Sequence, residues 1–260
     1  LGTVHRNLHV FHNAKLADQI TSKQASVSLP FPGMEQRPTV SRAQNNNRET
    51  FMEVFDGLLH RTESTPDQVR QLYDEWAAGY DANLSDWEYE APQRCAAYAA
   101  SIAKPDAAVL DVGCGTGLSG AALKVAGFQT IDGIDLSPAS IAKASVRGVY
   151  RSANVVDLSR LPSSMADASY GALVCVGVMS YLPDTEAICR EFCRLTVPGA
   201  PIVVTQRDDL FTGRDTQGAF DLLSRDGLWQ QIEVTGPLPY LPGNPEFEGV
   251  GVHYCVFKRL

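Results

Sequence analysis

The chain has no apolar run near the ~20 residues that a bilayer-spanning helix needs, so nothing in the sequence reads as a membrane span. It also lacks a basic excess: 22 Lys and Arg stand against 30 Asp and Glu, a net charge of −8. A broad basic face for nucleic acid or an anionic membrane is therefore not expected. Cysteine is sparse and dispersed. Cys95, Cys114, Cys175, Cys189, Cys193 and Cys255 lack the dense spacing of a secreted disulfide scaffold, which favours a reducing compartment. Cys189 and Cys193 share a helix face, but no His or Cys cluster completes a metal site, so they read as buried small hydrophobes and no metal is expected.

Apolar content is 44% of 260 residues, enough for one sizeable core. Residues 1–64 differ from the rest: Asn45-Asn46-Asn47, scattered Ser and Gln, and little periodicity describe an N-terminal tail or arm. Phe51, Val54, Phe55, Leu58 and Leu59 are spaced as a short docking helix near 51–59. Asp18 is the one acid before Met34, a bias compatible with an organelle-targeting segment; otherwise a cytoplasmic location is expected. The domain spans 65–260. It opens at Thr65-Pro66-Asp67-Gln68, which has the cap, the first-turn proline and the reciprocal Gln of a capping box. One helix from there would place Val69, Leu72, Tyr73, Trp76, Ala77 and Tyr80 on a single face.

The informative stretch is Val109-Leu110-Asp111-Val112-Gly113-Cys114-Gly115-Thr116-Gly117, a buried strand entering a glycine-rich turn before a small-residue helix. This is the opening of a βαβ nucleotide-binding unit. Gly115, Gly117 and Gly120 satisfy a dinucleotide spacing, but Asp111 would crowd a pyrophosphate, whereas it suits a ligand bearing an ammonium group. S-adenosylmethionine is therefore favoured over NAD. The next strand, Thr130 to Ile134, ends in Asp135, placed to accept both hydroxyls of a ribose.

Asp111-x-Gly113-x-Gly115-x-Gly117 followed by Gly133-Ile134-Asp135-Leu136-Ser137 resembles the class I S-adenosylmethionine-dependent methyltransferases over residues 68–260. Tyr73 to Asp81 resembles the Tyr-x-x-Trp-Ala-x-x-Tyr-Asp segment of small-molecule members, including the Williams–Beuren-region type. The resemblance implies a doubly wound α/β fold: a mostly parallel seven-stranded sheet, helices on both faces and a reversed final β-hairpin. It implies that S-adenosylmethionine is held by Gly113, Cys114, Gly115, Gly117, Asp111, Asp135 and Leu136. Asp157 and Leu158 would meet the adenine, with Asn154 nearby. Val176 and the segment Gly177 to Leu182, including Tyr181, would pass beneath the methionine portion. A helix carrying Tyr73, Trp76 and Tyr80 would cover the cofactor.

The acceptor side is less determined. Arg207, at the C-terminal edge of the fifth strand, could pair with a carboxylate. Tyr73, Tyr80, Met179, Tyr240 and Tyr254 are candidate acceptor contacts, and Tyr181, Arg207, Asp208 and His253 are candidate catalytic groups. The proline-rich stretch Gly236 to Gly249 reads as a stiff loop walling the acceptor site. No Asn-Pro-Pro-Tyr segment follows the fourth strand, which points away from nucleic-acid bases. The acceptor expected is a small, carboxylate-bearing metabolite methylated at S, N or O, by a monomer or homodimer. Two alternatives stand. An NAD(P)-dependent oxidoreductase would share the first βαβ unit, but no hydride-transfer constellation such as Tyr-x-x-x-Lys is expected; a non-catalytic S-adenosylmethionine-binding protein would have a closed acceptor side.

Overall fold

The structure, a computed structural model, describes residues 65–260 apart from Ala78 and Pro183. The expected arm, 1–64, with its helix near 51–59, lies outside the described residues. Among the described residues no helix is long and apolar enough to cross a membrane.

Helix α1, Pro66–Trp76, begins at the predicted capping box: the Gln68 amide donates to Thr65 Oγ1 at 3.3 Å and the Thr65 amide to Gln68 Oε1 at 3.0 Å. The single helix expected to carry Tyr80 is instead two. Gly79, whose amide donates to Trp76 O, caps a new helix α2, Tyr80–Asp86, because a glycine there lowers the cost of leaving the helical path. Helix α3, Ala91–Ile102, leads to β1, Ala108–Val112. Then come α4 (Leu118–Val125), β2 (Thr130–Asp135), α5 (Pro138–Val146), β3 (Ser152–Val155) and β4 (Ala172–Cys175). A 3₁₀ turn, Met179–Tyr181, precedes α6, Thr185–Leu195, and β5, Pro201–Arg207. Two helices follow, α7 (Asp208–Gly213) and α8 (Thr216–Arg225), before β6 (Trp229–Val234), β7 (Leu238–Pro239) and β8 (Gly251–Arg259).

The sheet order is β3-β2-β1-β4-β5-β8-β6, with β7 on β8 as an eighth strand. The first five run parallel; β8 is inserted antiparallel between β5 and β6. The stretch read as a loop, Gly236 to Gly249, contains β7 and a second 3₁₀ turn, Pro245–Phe247. Leu238 and Pro239 pair with Val252 and Gly251; a proline is tolerated there because β7 is an edge strand.

Alternation along the buried strands explains the layers. Leu110, Val112, Leu173, Cys175, Ile202 and Val204 pack with Ile188 and Phe192 of α6 and Phe220 of α8. Val109, Ile131, Ala172, Val174 and Val203 point to the other face, under Cys95, Ala96 and Ala99 of α3 and Leu123 of α4. All six cysteines are buried and reduced. The parallel strands therefore end together at one edge, where the glycine turn, Asp135, Asp157 and Gly177 emerge.

Candidate functional site

The floor is the turn from β1 to α4. Gly113, Gly115 and Gly117 have φ of +67°, +52° and +97°, values that L side chains rarely adopt. A Cβ on Gly113 would meet Val178 Cγ2 at 2.1 Å, whereas one on Gly115 would meet nothing within 4 Å. The amides of Gly113 and Cys114 both donate to Ile134 O, at 2.8 and 3.0 Å. Asp135 fastens the two loops, accepting from the Gly115 amide at 2.9 Å and the Ser137 amide at 2.8 Å. Burial pushes its carboxyl up, and these amides pull it partly back.

Above the floor is a cleft of about 820 Å³, open mouth included. Ile134, Leu136, Val156 and Leu158 make an apolar slot flanked by Asp135 and Asp157; Gly113, Gly115, Val176, Gly177 and Val178 line it from below, and Tyr73, Tyr80 and Tyr181 from the side. Leu182, in the segment expected beneath the methionine portion, also lines it, as do Pro66, Val69, Arg70, Ser137 and Ser159, which were not among the expected site residues. Most lie one position beside a residue that was, or on the first turn of α1, whose docking angle local pattern does not specify.

Several expected contacts stand elsewhere. Trp76 is buried behind the cleft, its ring 4.3 Å from that of Tyr80 and 6.1 Å from that of Trp87. Cys114 turns away to pack with Ile141 and Ala144 of α5, and Asn154 is exposed on the edge strand β3. Asp111 is fully buried. Its Oδ2 accepts from the Tyr150 hydroxyl at 2.7 Å, and among the described residues its Oδ1 has no partner. Burial pushes the Asp111 carboxyl up to about 7, against the pull of the Tyr150 hydrogen bond.

The cap is tied down by polar contacts that hydrophobic periodicity does not reveal. The Asp74 carboxylate of α1 accepts from the Ser137 hydroxyl at 2.5 Å and the Ala139 amide at 3.3 Å, at the N-terminus of α5, where negative charge is favoured. Lys143 of α5 donates to Ala77 O just after α1. Asp81 of α2 accepts from Thr116 Oγ1 at 2.5 Å and pairs with Arg147, whose Nε donates to Thr116 O. Cap and glycine turn are thus one hydrogen-bonded unit.

On the side expected to take the acceptor, the Tyr73 hydroxyl donates to the Tyr181 hydroxyl at 3.1 Å, the two rings edge to face. Burial holds the phenols of Tyr73, Tyr80, Tyr181 and Tyr240 above the usual tyrosine range, and the nearby Arg207 guanidinium pulls those of Tyr181 and Tyr240 partly back. Arg207 forks onto Asp209, holding that carboxyl below the usual range against its own burial. Arg214, beside them, donates to Ser180 O and Leu182 O at 3.2 and 3.4 Å; desolvation is the main effect lowering its pKa.

Met179 is fully buried in the core. His253 is also buried, stacked on Phe211 at 4.1 Å, with Nδ1 2.7 Å from Thr235 O and Nε2 2.8 Å from Asp208 Oδ1. Tyr254 packs against Tyr98 and α3. Tyr254 and Lys258 do have the Tyr-x-x-x-Lys spacing, but on strand β8, where residues four apart lie ~13 Å from each other. They cannot meet at one hydride.

Comparison with known proteins agrees with this geometry. Residues 109–199 match the family described as a methyltransferase domain. The chain is similar to human methyltransferase-like protein 27, at 30% identity over 177 residues, 64% of this chain and 71% of that protein. It is similar to a ubiquinone biosynthesis O-methyltransferase of Xanthomonas campestris, at 33% identity over 156 residues; the match spans 56% of this chain and 61% of that enzyme, less than two thirds of its length. In fold it resembles a Haloferax volcanii putative methyltransferase solved in complex with the activator Trm112 (TM-score 0.56, 19% identity, 72% of this chain and 97% of that one). With the glycine turn, the acid closing β2 and a relative matched over most of its length, the chain belongs to the class I S-adenosylmethionine-dependent methyltransferases.

Proposed function

We propose that the chain methylates a small, anionic, carboxylate-bearing metabolite held between the cap, Tyr181 and the end of β5. The cleft residues fit the cofactor. Asp135 keeps lone pairs for ribose hydroxyls beyond the two amides it accepts; the apolar slot closed by Asp157 suits adenine and its amino group; and the open side of Gly115 lets a ligand approach the backbone. Bound S-adenosylmethionine supplies an electrophilic methyl group, so the protein's part is to orient the acceptor and exclude water. Tyr73, Tyr80 and Tyr181 wall the cleft beside the acceptor position, and their linkage through the Tyr73–Tyr181 hydrogen bond fixes that wall.

The observation that carries the anionic acceptor is the pair of guanidiniums, Arg207 and Arg214, that stands by Tyr181 and the Ser180–Leu182 backbone. An acceptor carboxylate would share or displace Asp209 on the Arg207 fork, a bidentate geometry that guanidinium matches well. The acceptor is first found by incubating a metabolite extract with labelled methyl donor and identifying the labelled product by mass spectrometry. Arg207→Met is then compared with wild type on the charged acceptor and its methyl ester. A loss of roughly ten- to a hundredfold in kcat/KM confined to the charged acceptor is expected. Equal loss with both, or none with the charged one, removes Arg207 as the anchor.

A further inference from the structure

We propose that Tyr150 is a positioning residue of the cofactor site, a strut that joins Asp111 to the glycine turn so that a buried negative charge stands beneath the cationic cofactor and favours it over its neutral product. This rests on the cofactor placement proposed above.

The geometry is specific to a tyrosine. Three glycines, two at the start of α4 and one from β2, face this ring: a Cβ on Gly120 would meet the Tyr150 Cζ and hydroxyl oxygen at 2.3 Å, one on Gly133 its Cε1 at 2.9 Å, and one on Gly117 its Cε2 at 3.2 Å. The hydroxyl then bridges two groups, donating to Asp111 Oδ2 at 2.7 Å and accepting from the Gly120 amide at 3.1 Å. A phenylalanine would fill the space but leave both groups without that partner.

Asp111 repays attention because packing alone would not choose it. A fully buried carboxylate is costly unless something stabilises its charge. The titratable groups facing it are Asp135 on β2, Cys95 on α3, Cys114 in the turn, Cys175 on β4 and Tyr150. None is a cation. Burial and the charge of Asp135 disfavour ionisation, and the Tyr150 hydrogen bond favours it, leaving the carboxyl at about 7. S-adenosylmethionine, with sulfonium, ammonium and carboxylate, carries one net positive charge; S-adenosylhomocysteine carries none. An ionised Asp111 therefore stabilises the first more than the second, and since acids gain charge as pH rises, the preference should grow as pH rises through about 7.

The test is calorimetric titration of the whole chain with both ligands from pH 6 to 8.5. In wild type the ratio of S-adenosylhomocysteine to S-adenosylmethionine dissociation constants should rise roughly tenfold across that range. Tyr150→Phe should move the rise upward by about one pH unit or more and weaken S-adenosylmethionine about tenfold at pH 7, with less effect on the product. Asp111→Asn should abolish the pH dependence. A flat ratio in wild type overturns the proposal, as does equal, pH-independent weakening of both ligands by Tyr150→Phe, which would make the ring a packing element only. If Tyr150→Phe does not fold, the wild-type and Asp111→Asn profiles decide, and a pH dependence that survives Asp111→Asn refutes it. Failure of the cofactor placement itself shows separately, as unchanged affinity for both ligands in Asp135→Ala.

Discussion

Replacing Asp135 by alanine tests the placement on which the site depends. The carboxylate closes β2 and lines the cleft, its two oxygens accepting from Gly115 and Ser137. A ribose placed there would add two charge-assisted hydrogen bonds, and their loss, net of water, should cost roughly 2–4 kcal/mol, or 30- to 1000-fold in affinity. The same substitution frees two amides at the cleft surface, where water can replace the carboxylate, so the ligand-free protein should lose no more than about 1–2 kcal/mol. Titration with S-adenosylhomocysteine and thermal unfolding of the same samples separate the two effects. Asparagine is the sharper variant. One of its side-chain atoms is a donor, so either the Gly115 or the Ser137 amide would face an NH₂ group, and affinity should fall despite the conserved shape. A cofactor analogue lacking both ribose hydroxyls closes the cycle, and should bind wild type and Asp135→Ala about equally. If the natural ligand binds Asp135→Ala as tightly as wild type, or if the analogue loses as much as the natural ligand does, the ribose is not on Asp135.

Two further outcomes follow from contacts away from the cleft floor. Asp74→Ala removes the acceptor that ties α1 to the start of α5, and should speed S-adenosylhomocysteine dissociation roughly five- to tenfold in stopped-flow displacement; an unchanged rate would show that the cap does not gate release. Asp132 is held below the usual carboxyl range by Arg151, Ser152 and Tyr170, and Glu191 by Arg194 and Ser163, in each case against their own burial. Folded values below unfolded ones mean that this stability is present above the ordinary carboxylate pKa of ~4 and is lost as pH falls through the folded values. Urea unfolding from pH 6 to pH 3 should therefore show a fall in stability that is shallower in Asp132→Asn, and an identical slope in the variant would refute the assignment.

What the sequence made legible was whatever rests on local pattern. The capping box at Thr65, the left-handed glycines after β1, the acid ending β2 and the buried alternation of β1, β4 and β5 are all set within a few residues. The reversed strand was legible too, but its insertion between β5 and β6 was not, since register and strand order depend on contacts distant in the chain. The break at Gly79 was missed because Tyr80 keeps the apolar periodicity across it. Helix α7 was missed for the opposite reason: Arg207 and Asp208 were read only as groups at the end of the fifth strand, yet two acids, Asp208 and Asp209, in a first turn suit a helix N-terminus. The cap's fastening escaped detection altogether, because Asp74, Asp81, Lys143 and Arg147 look like solvated charges until folding sets them against Ser137, Thr116 and Ala77.

The glycines show where pattern reading assigns the right residues a different reason. Gly113, Gly115 and Gly117 read as a nucleotide-binding turn, Gly120 completes a dinucleotide spacing, and Gly133 belongs to the second motif. In the fold only Gly115 leaves its Cβ position open beside the cleft. Gly113 is occupied by Val178, and the last three accommodate Tyr150, with Arg147 sharing Gly117. Spacing cannot tell these cases apart, because a ligand and an aromatic ring exclude a Cβ equally well. The difference becomes visible only when the partner is found, and Tyr150 lies between α5 and β3, outside both elements. The glycine motif therefore encodes two demands on the same few residues: an open floor at Gly115, and a closed underside on which Asp111 can be buried and held.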